Sequence, residues 1–167
     1  MKILITGGAG YLGSVITGKL LNAGYEVTVL DKLIFNQVSL LSHTSNPKFK
    51  FIHGDVRNEV LVEKLCNESD VIIPLAAIVG FPACDAEPEL AKQINFQQIF
   101  NIVKFTKNKN KKILYPNTNS GYGIGVGQTM CTEESPLNPI SIYGSTKVAA
   151  ENYLKSNNDA IIFRLAT

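Results

Sequence analysis

Short apolar runs alternate with amphipathic segments from the first residue of the chain to the last. Six of these runs are brief, and four of the six are rich in Ile or Val. Such runs are typical of strands that are buried on both faces of a parallel sheet. The predicted strands are Lys2–Ile5, Glu26–Leu30, Phe49–His53, Val71–Pro74, Lys112–Tyr115 and Ala160–Phe163. Their alternation with helical segments predicts an α/β fold, in which a doubly wound parallel sheet carries helices on both faces.

Two helical segments differ in their apolar pattern. The first has a single stripe, formed by Leu12, Val15, Ile16, Leu20 and Ala23, and Gly24 follows it as a stop signal. The segment Glu87–Thr106 has two apolar faces when it is plotted at about 100° per residue. One face holds Leu90, Ala91, Ile94, Ile102 and Phe105, and the other holds Phe96, Ile99, Phe100 and Val103. A helix with two apolar faces needs two partners, so one face is expected to cover the sheet and the other to meet a second surface.

Length and composition narrow the class of protein. A chain of 167 residues supports one hydrophobic core, which predicts a single domain over residues 1–167. The 16 Lys+Arg residues nearly balance the 14 Asp+Glu residues, so no nucleic-acid or membrane surface is expected. Three widely spaced cysteines without a CxxC pair or a His cluster indicate neither a metal site nor a disulfide framework. The first apolar run is too short for a signal peptide or a membrane span, which predicts a cytoplasmic protein.

The segment Thr6–Gly13 (TGGAGYLG) is the first candidate binding site, because it follows a strand and opens a helix. Gly7 permits a tight turn, Gly10 lets the backbone approach a pyrophosphate, and Gly13 allows close packing of helix and strand. The helix N-terminus would then bind the pyrophosphate. Asp31 ends the second strand 18 residues after Gly13, where a carboxylate binds a ribose 2′-hydroxyl. The pattern predicts a dinucleotide site, although Asp31 taken alone is also consistent with a surface acid at a strand end.

A second candidate constellation is the pair Tyr143 and Lys147. Residues four apart share one face of a helix, so the ammonium group is expected to lie beside the phenol. A nearby cation favours phenolate and is expected to lower the pKa of Tyr143. The pair therefore predicts a general base, because a lowered pKa brings the phenol closer to the operating pH.

These motifs, in this order, resemble those of the extended short-chain dehydrogenases/reductases, a family with a Rossmann fold that remodels nucleotide sugars. The resemblance covers essentially the whole chain. Its segments are the GxxGxxG loop Gly7–Gly13 with Tyr11 and Leu12, Gly54-Asp55-Val56-Arg57, Leu75-Ala76-Ala77, Asn95, Pro136–Pro139, and Tyr143–Lys147. One departure is Pro74, which replaces the family's usual His.

The resemblance implies that NAD is the cofactor. It places the adenine against Asp55 and Val56, and it makes Leu75, Ala76 and Ala77 part of the cofactor wall. The carboxylate of Asp31 would repel a 2′-phosphate, and the neighbouring Lys32 is expected to point away. NAD is therefore expected to bind better than NADP.

The resemblance also implies the catalytic groups and a nucleotide-sugar substrate. Tyr143 would act as the base, Lys147 would hold the nicotinamide ribose, and Asn95 would support the helix geometry and a proton-relay water. A hydroxyl residue four positions before the Tyr of the family's (V)YG motif hydrogen-bonds the reacting sugar oxygen. Counting back from Tyr122 gives Thr118, with Ser120 as an alternative.

Members of the family carry out different reactions, and the residues after Thr118 discriminate between two of them. The 4,6-dehydratases have an Asp-Glu pair there, whereas this chain has Asn119 and Ser120. An epimerase is therefore the primary hypothesis. The alternatives are a 4,6-dehydratase, a net oxidoreductase such as a keto-sugar reductase, and a non-catalytic NAD-binding or dimerisation module.

Relatives in this family continue for about as long again, with a lobe that grips the nucleotide of the sugar. The resemblance thus predicts that this chain is a cofactor-binding half in which the substrate lobe is absent. It also implies a homodimer, in which Glu87–Thr106 and the Tyr143 helix pair with their symmetry mates. That interface is expected to bury an otherwise exposed apolar patch of Phe96, Phe100 and Val103.

Overall fold

The computed structural model describes residues 1–124, 130–157 and 160–165 of the chain. Within these ranges, six strands form one sheet in the order β3-β2-β1-β4-β5-β6, and every neighbouring pair is parallel. The strands are β1 (Lys2–Thr6), β2 (Glu26–Asp31), β3 (Phe49–His53), β4 (Val71–Pro74), β5 (Lys112–Thr118) and β6 (Ile161–Leu165). The chain runs outward from β1 to β3 and then returns to build the other half from β4 onward. The strand order therefore reverses between β1 and β4, which is where ligands bind in doubly wound sheets.

All six predicted strands are confirmed, but several continue past their apolar residues. β5 extends three residues further than predicted, through Asn117 and Thr118, because backbone pairing with β6 continues to the Thr118–Leu165 position. β1 and β2 each gain one polar residue, Thr6 and Asp31. An apolar pattern misses these residues, and they are the ones that reach the carboxyl edge of the sheet.

The helices cover both faces of the sheet, as the alternating pattern predicts. They are α1 (Tyr11–Asn22), α2 (Glu59–Glu68), α3 (Phe81–Ala86), α4 (Pro88–Lys92), α5 (Gln98–Thr106) and α6 (Ile142–Asn157). Short 3₁₀ turns occur at Leu41–His43 and Asn119–Tyr122. On one face, Ile3 and Ile5 of β1 pack with Leu21 of α1, and on the other Leu4 packs with residues of α2, α5 and α6. Successive side chains of a strand point to opposite faces, so one short apolar strand contributes to both cores.

The predicted helix Glu87–Thr106 forms, but its middle is a π-helical turn, Gln93–Gln97, between α4 and α5. Its second apolar face meets α6 of the same chain, where Phe96 and Phe100 pack against Tyr153 with ring centroids 6.2 and 5.1 Å away. Val103 is buried in the core. The expectation that Phe96, Phe100 and Val103 form an exposed patch is therefore wrong, because α6 supplies the second partner.

Among the described residues, no helix combines the length and the apolar character that a membrane span requires.

Candidate functional site

A cavity of 680 Å³ opens at the carboxyl ends of the strands, on both sides of the point where the strand order reverses. Its wall contains almost every residue that the sequence singles out. From the cofactor motifs it includes Gly7, Gly10, Tyr11, Leu12, Gly13, Asp31, Asp55, Val56, Leu75, Ala76 and Ala77. Thr118, Tyr143 and Lys147 line the same cavity. The predicted cofactor residues and three of the four predicted catalytic residues therefore line one cavity.

The glycine loop lies directly against the segment that follows β4. Gly7 has φ +71°, and a Cβ atom added there would lie 2.5 Å from the backbone nitrogen of Ala76. Its amide also donates to the carbonyl oxygen of Leu30, at 2.8 Å. Gly7 is thus required both for the turn and for the close approach of the two segments.

The N-terminus of α1 faces this loop without a competing side chain. Its N-cap is Gly10, which makes no side-chain capping hydrogen bond, and the first turn holds no acidic residue. A helix N-terminus of this kind presents free N–H groups and the positive end of the helix dipole. The arrangement fits the pyrophosphate of a dinucleotide, as the sequence predicts.

Asp31 is tied into the cavity wall by backbone amides. Its carboxylate accepts hydrogen bonds from Ala9 N at 2.9 Å and from Leu33 N at 2.8 Å, and the side chain is buried. Asp31 is therefore not a solvated acid at a strand end. Its neighbour Lys32 does not point away, since this residue also lines the cavity and its ammonium group pairs with Asp55 at 3.1 Å.

Asp55 is held between two cations. Arg57 approaches its carboxylate at 2.7 Å, and Lys32 pairs with the same oxygen atom. The hydrogen bond from Arg57 has the largest effect, and together with that from Lys32 it holds the pKa of the Asp55 carboxyl well below its ordinary value. The carboxylate thus stays ionised and keeps the cavity segment Gly54–Val56 in place.

The structure places Asn95 behind the cavity wall. It lies in the π-helical turn, is 2% exposed, and does not line the cavity. Its amide exchanges two hydrogen bonds with the backbone of Ile78, with Oδ1 accepting at 2.9 Å and Nδ2 donating at 3.0 Å. Nδ2 also reaches Thr146 Oγ1 on α6, at 3.2 Å. Asn95 therefore joins the loop after β4 to the Tyr143 helix, which agrees with a supporting role.

Tyr143 and Lys147 lie on one face of α6, as predicted, but the electrostatics differ from the expectation. Burial raises the pKa of Tyr143, and hydrogen bonding with the Thr118 hydroxyl opposes that change. The Lys147 ammonium group donates to the carbonyl oxygen of Pro116 at 3.0 Å and lies 4.0 Å from the centre of the Tyr115 ring. Lys147 is directed toward β5, so the structure does not show the lowered pKa of Tyr143 that the sequence predicts.

The hydroxyl residue that the geometry favours is Thr118. Its side chain lines the cavity and interacts with Tyr143, whereas Ser120 is absent from the described cavity wall. The two hydroxyl oxygens lie 3.1 Å apart, and Thr118 Oγ1 also accepts from the backbone amide of Ser120. The 3₁₀ turn after β5 is thereby fixed by the residue that faces the cavity.

Several lining residues escape the motif-based prediction. Ile34, Phe35 and Gln37 contribute to the wall from the loop that follows Asp31, and Asn117 contributes from β5. Their positions depend on how loops and strand ends are placed in space. Only Asn117 could have been found from the sequence, because it is a polar residue directly before Thr118 at the end of a predicted strand.

The comparisons with known proteins agree on one protein family. A model of the NAD dependent epimerase/dehydratase family matches residues 3–167. The chain is 31% identical, over 158 residues, to a putative UDP-glucose 4-epimerase of Methanocaldococcus jannaschii, covering 93% of this chain and 50% of that protein. It is 32% identical, over 157 residues, to a UDP-glucose 4-epimerase of Lactobacillus helveticus, covering 92% and 46%. The chain thus spans about half the length of the curated relatives it matches.

Solved structures show the same relation. The fold is similar to that of a UDP-glucuronic acid 4-epimerase from Bacillus cereus in complex with NAD, with a TM-score of 0.87 and 30% identity over 100% of this chain and 57% of that one. It is also similar to a dTDP-glucose 4,6-dehydratase from Streptomyces venezuelae with NAD bound, with a TM-score of 0.88 and 28% identity over 98% and 55%. Both matches confirm the Rossmann-type fold class.

Proposed function

This chain belongs to the NAD-dependent epimerase/dehydratase family, and we propose that it is the NAD-binding half of a nucleotide-sugar epimerase. NAD is the cofactor of the family and is bound in the two similar structures, which confirms the cofactor prediction. One observation carries the proposal. Thr118, Tyr143 and Lys147 line the same cavity as the glycine loop and Asp31, so a sugar carbon held there meets both cofactor and base.

The side chains supply the proton chemistry of the proposed reaction. Bound NAD supplies the reversible hydride acceptor that lets a sugar carbon lose and regain its hydrogen with inverted configuration and no net oxidation. Tyr143, as phenolate, takes the proton of the hydroxyl on that carbon and later returns it. Thr118 hydrogen-bonds the same sugar oxygen. Lys147 would hold the nicotinamide ribose, and the positive charge of the nicotinamide would favour the phenolate against the burial that raises the pKa of Tyr143, as hydrogen bonding with the Thr118 hydroxyl also does.

The segment after β5 argues against dehydration within the same family. Elimination of water needs an acid and a base beside the reacting hydroxyl residue. Asn119 and Ser120 stand directly after Thr118, and neither side chain titrates near neutral pH. This difference supports an epimerase over a 4,6-dehydratase.

The proposal extends to substrate, assembly and location. The relatives act on UDP-sugars by name, and they are about twice as long as this chain, so we propose that a substrate lobe completes the site. We propose a homodimer through α6 and the adjoining π-helical turn and α5, where Phe96, Phe100 and Tyr153 stay partly exposed even though they pack on one another. The thiols of Cys66, Cys84 and Cys131 are free, which supports a reducing, cytoplasmic setting.

The test uses a completed enzyme, in which this chain is joined to the C-terminal half of a similar 4-epimerase. Two Tyr→Phe variants of this enzyme are compared, and both substitutions lie in α6. Tyr143→Phe removes the cavity phenol and is expected to lower kcat by about a thousandfold, with NAD affinity nearly unchanged. Tyr153→Phe is the matched control and keeps the ring that packs on Phe96 and Phe100. A modest effect of Tyr143→Phe would remove that residue from the role of base. Tight NAD binding without turnover by the completed enzyme would favour a non-catalytic module.

A further inference from the structure

A fully buried carboxylate lies behind the catalytic end of the cavity, and the proposed mechanism does not use it. Glu151 of α6 is 0% exposed, and three residues donate hydrogen bonds to its carboxylate. Arg164 Nη2 and Lys155 Nζ each reach its Oε1 at 2.6 Å, and Asn117 Nδ2 donates to its Oε2. Burying a charge is costly unless the charge is paired, so the fold must recover that cost through these contacts.

Arg164 connects this carboxylate to the turn that carries Thr118. Its side chain, 8% exposed, donates Nη1 to the Tyr122 hydroxyl and to the carbonyl oxygen of Glu133, both at 3.0 Å. Tyr122 ends the 3₁₀ turn that begins directly after Thr118. The pair Glu151–Arg164 therefore ties together β5, β6, α6 and the turn beside the cavity.

Glu151 is also aligned with the catalytic residues along α6. Tyr143, Lys147 and Glu151 follow one another at intervals of four residues, which places them on one helix face. Lys147 is 6% exposed, and its recorded contacts are the Pro116 carbonyl oxygen and the Tyr115 ring. Neither contact is a full negative charge. Glu151 lies one helical turn beyond Lys147 on the same face of α6, both side chains are buried, and the charge of Glu151 opposes the effect of burial on the pKa of Lys147.

We propose that Glu151 is a positioning residue for the active site, whose buried charge keeps Lys147 cationic and whose carboxylate fixes Asn117 in the cavity wall. The proposal rests on the proposed function, because it gives Lys147 its part in the reaction. A residue that only held the fold together would leave the titration of Lys147 unchanged as long as the variant folds. The distinguishing property is therefore the ionisation of Lys147.

The electrostatics give the direction of the effect. Burial lowers the pKa of Lys147 to about 7, and the charge of Glu151 opposes that change. The other ionisable groups around Lys147 are Tyr115 on β5 and Tyr143 on α6, and burial raises the pKa of both phenols, so neither adds a negative charge near pH 7 when the chain is titrated without NAD. Arg164 on β6 and Lys155 on α6 are cations that partly neutralise Glu151. Removal of the Glu151 charge should therefore make Lys147 lose its proton at lower pH.

The test measures Lys147 directly in this chain, by NMR of ¹³C-labelled lysine over a pH series. The Lys147 signal is identified by its loss in Lys147→Met. In Glu151→Gln, which retains the shape and the Asn117 contact, the midpoint of the Lys147 titration is expected to fall by about one pH unit. Glu68→Gln is the matched control, because Glu68 is a half-exposed residue of α2: the same charge is removed there, and no change in the Lys147 midpoint is expected.

A second variant keeps the inference testable if Glu151→Gln does not fold. Lys155 is half exposed and pairs with Glu151, so Lys155→Met removes a cation and leaves the carboxylate in place. The Lys147 midpoint is then expected to rise, opposite in sign to Glu151→Gln. An unchanged midpoint in folded Glu151→Gln, or a fall in Lys155→Met, would overturn the proposal. The titration needs no turnover, so its failure is distinct from a failure of the proposed reaction, which Tyr143→Phe reports.

Discussion

Substitution of Gly7 by alanine should damage the cofactor loop far more than the same substitution at another glycine of positive φ. Gly24 is the matched control, because it has φ +86° and the nearest atom to an added Cβ is Lys48 Nζ, at 3.7 Å. Gly24→Ala therefore measures only the cost of holding an alanine at positive φ, which is about 1 to 2 kcal/mol for an L-residue. Gly24 follows the C-cap residue of α1, Ala23, and does not line the cavity.

Gly7→Ala carries the same cost of positive φ and adds a steric clash between the new Cβ and Ala76. The added Cβ would lie 2.5 Å from Ala76 N and 2.6 Å from Ala76 Cα, so backbone must move on one side of the loop. Forced shifts of this kind cost about 1 to 3 kcal/mol, which brings the expected loss of stability to about 2 to 5 kcal/mol. For a chain of this size, the midpoint of thermal unfolding should fall by about 10 °C, against about 4 °C for Gly24→Ala.

The assay combines thermal unfolding with calorimetric titration of NAD. Gly24→Ala is expected to bind NAD like the parent chain, whereas Gly7→Ala is expected to show no measurable binding, because the displaced loop no longer fits the pyrophosphate. If Gly7→Ala were no less stable than Gly24→Ala and still bound NAD, the loop would not require the close approach to Ala76. The assignment of the cavity to a dinucleotide would then lose its main geometric support.

Three further predictions concern cofactor choice, completeness and pH. NAD should bind at least about tenfold more tightly than NADP, because the buried Asp31 carboxylate repels a 2′-phosphate; equal affinities in a titration would show that Lys32 offsets Asp31. The isolated 167-residue chain should bind NAD yet show little epimerase activity, since remote contacts to the nucleotide position the reacting carbon; robust turnover by the chain alone would contradict this. Although burial acts to raise it, the pKa of the Glu151 carboxyl in the folded chain is lowered from 4.5 to about 2, because Arg164, Lys155 and Asn117 donate hydrogen bonds to it. The ionised carboxylate therefore adds up to about 3 kcal/mol to the free energy of unfolding above pH 4.5, and this stabilisation is lost as pH falls toward 2. Acid unfolding of Glu151→Gln should accordingly depend less on pH over that range than acid unfolding of the parent chain.

The apolar pattern was sufficient for the sheet, because strands buried on two faces carry continuous Ile and Val runs. It failed at the strand ends, where Asn117 and Thr118 extend β5 through backbone pairing that no side-chain pattern records. The glycine loop and Asp31 were predictable for a different reason. Their chemistry depends on local spacing, and the strand–turn–helix context that surrounds them is itself local.

The features that sequence reasoning missed depend on contacts between distant segments. Spacing placed Lys147 beside Tyr143, but it could not show that the ammonium group donates to Pro116 on β5. The pair Glu151–Arg164 joins a helix to a strand that is 13 residues away, and neither residue belongs to a recognised motif. The exposed patch expected at Phe96 and Phe100 was wrong for the same reason, because its cover comes from Tyr153 on α6.

The most direct test of the proposed epimerase is the product balance of the completed enzyme. Nucleotide sugars are incubated with it and with a small amount of NAD, while NMR follows the sugar and absorbance follows the reduced cofactor. If the chain is half of an epimerase, an epimer should accumulate in large excess over the NAD supplied, with no net formation of NADH. Net NADH in proportion to product would indicate an oxidoreductase, and a 4-keto-6-deoxy sugar would show that Asn119 and Ser120 do not prevent dehydration. Either result would contradict the proposed function.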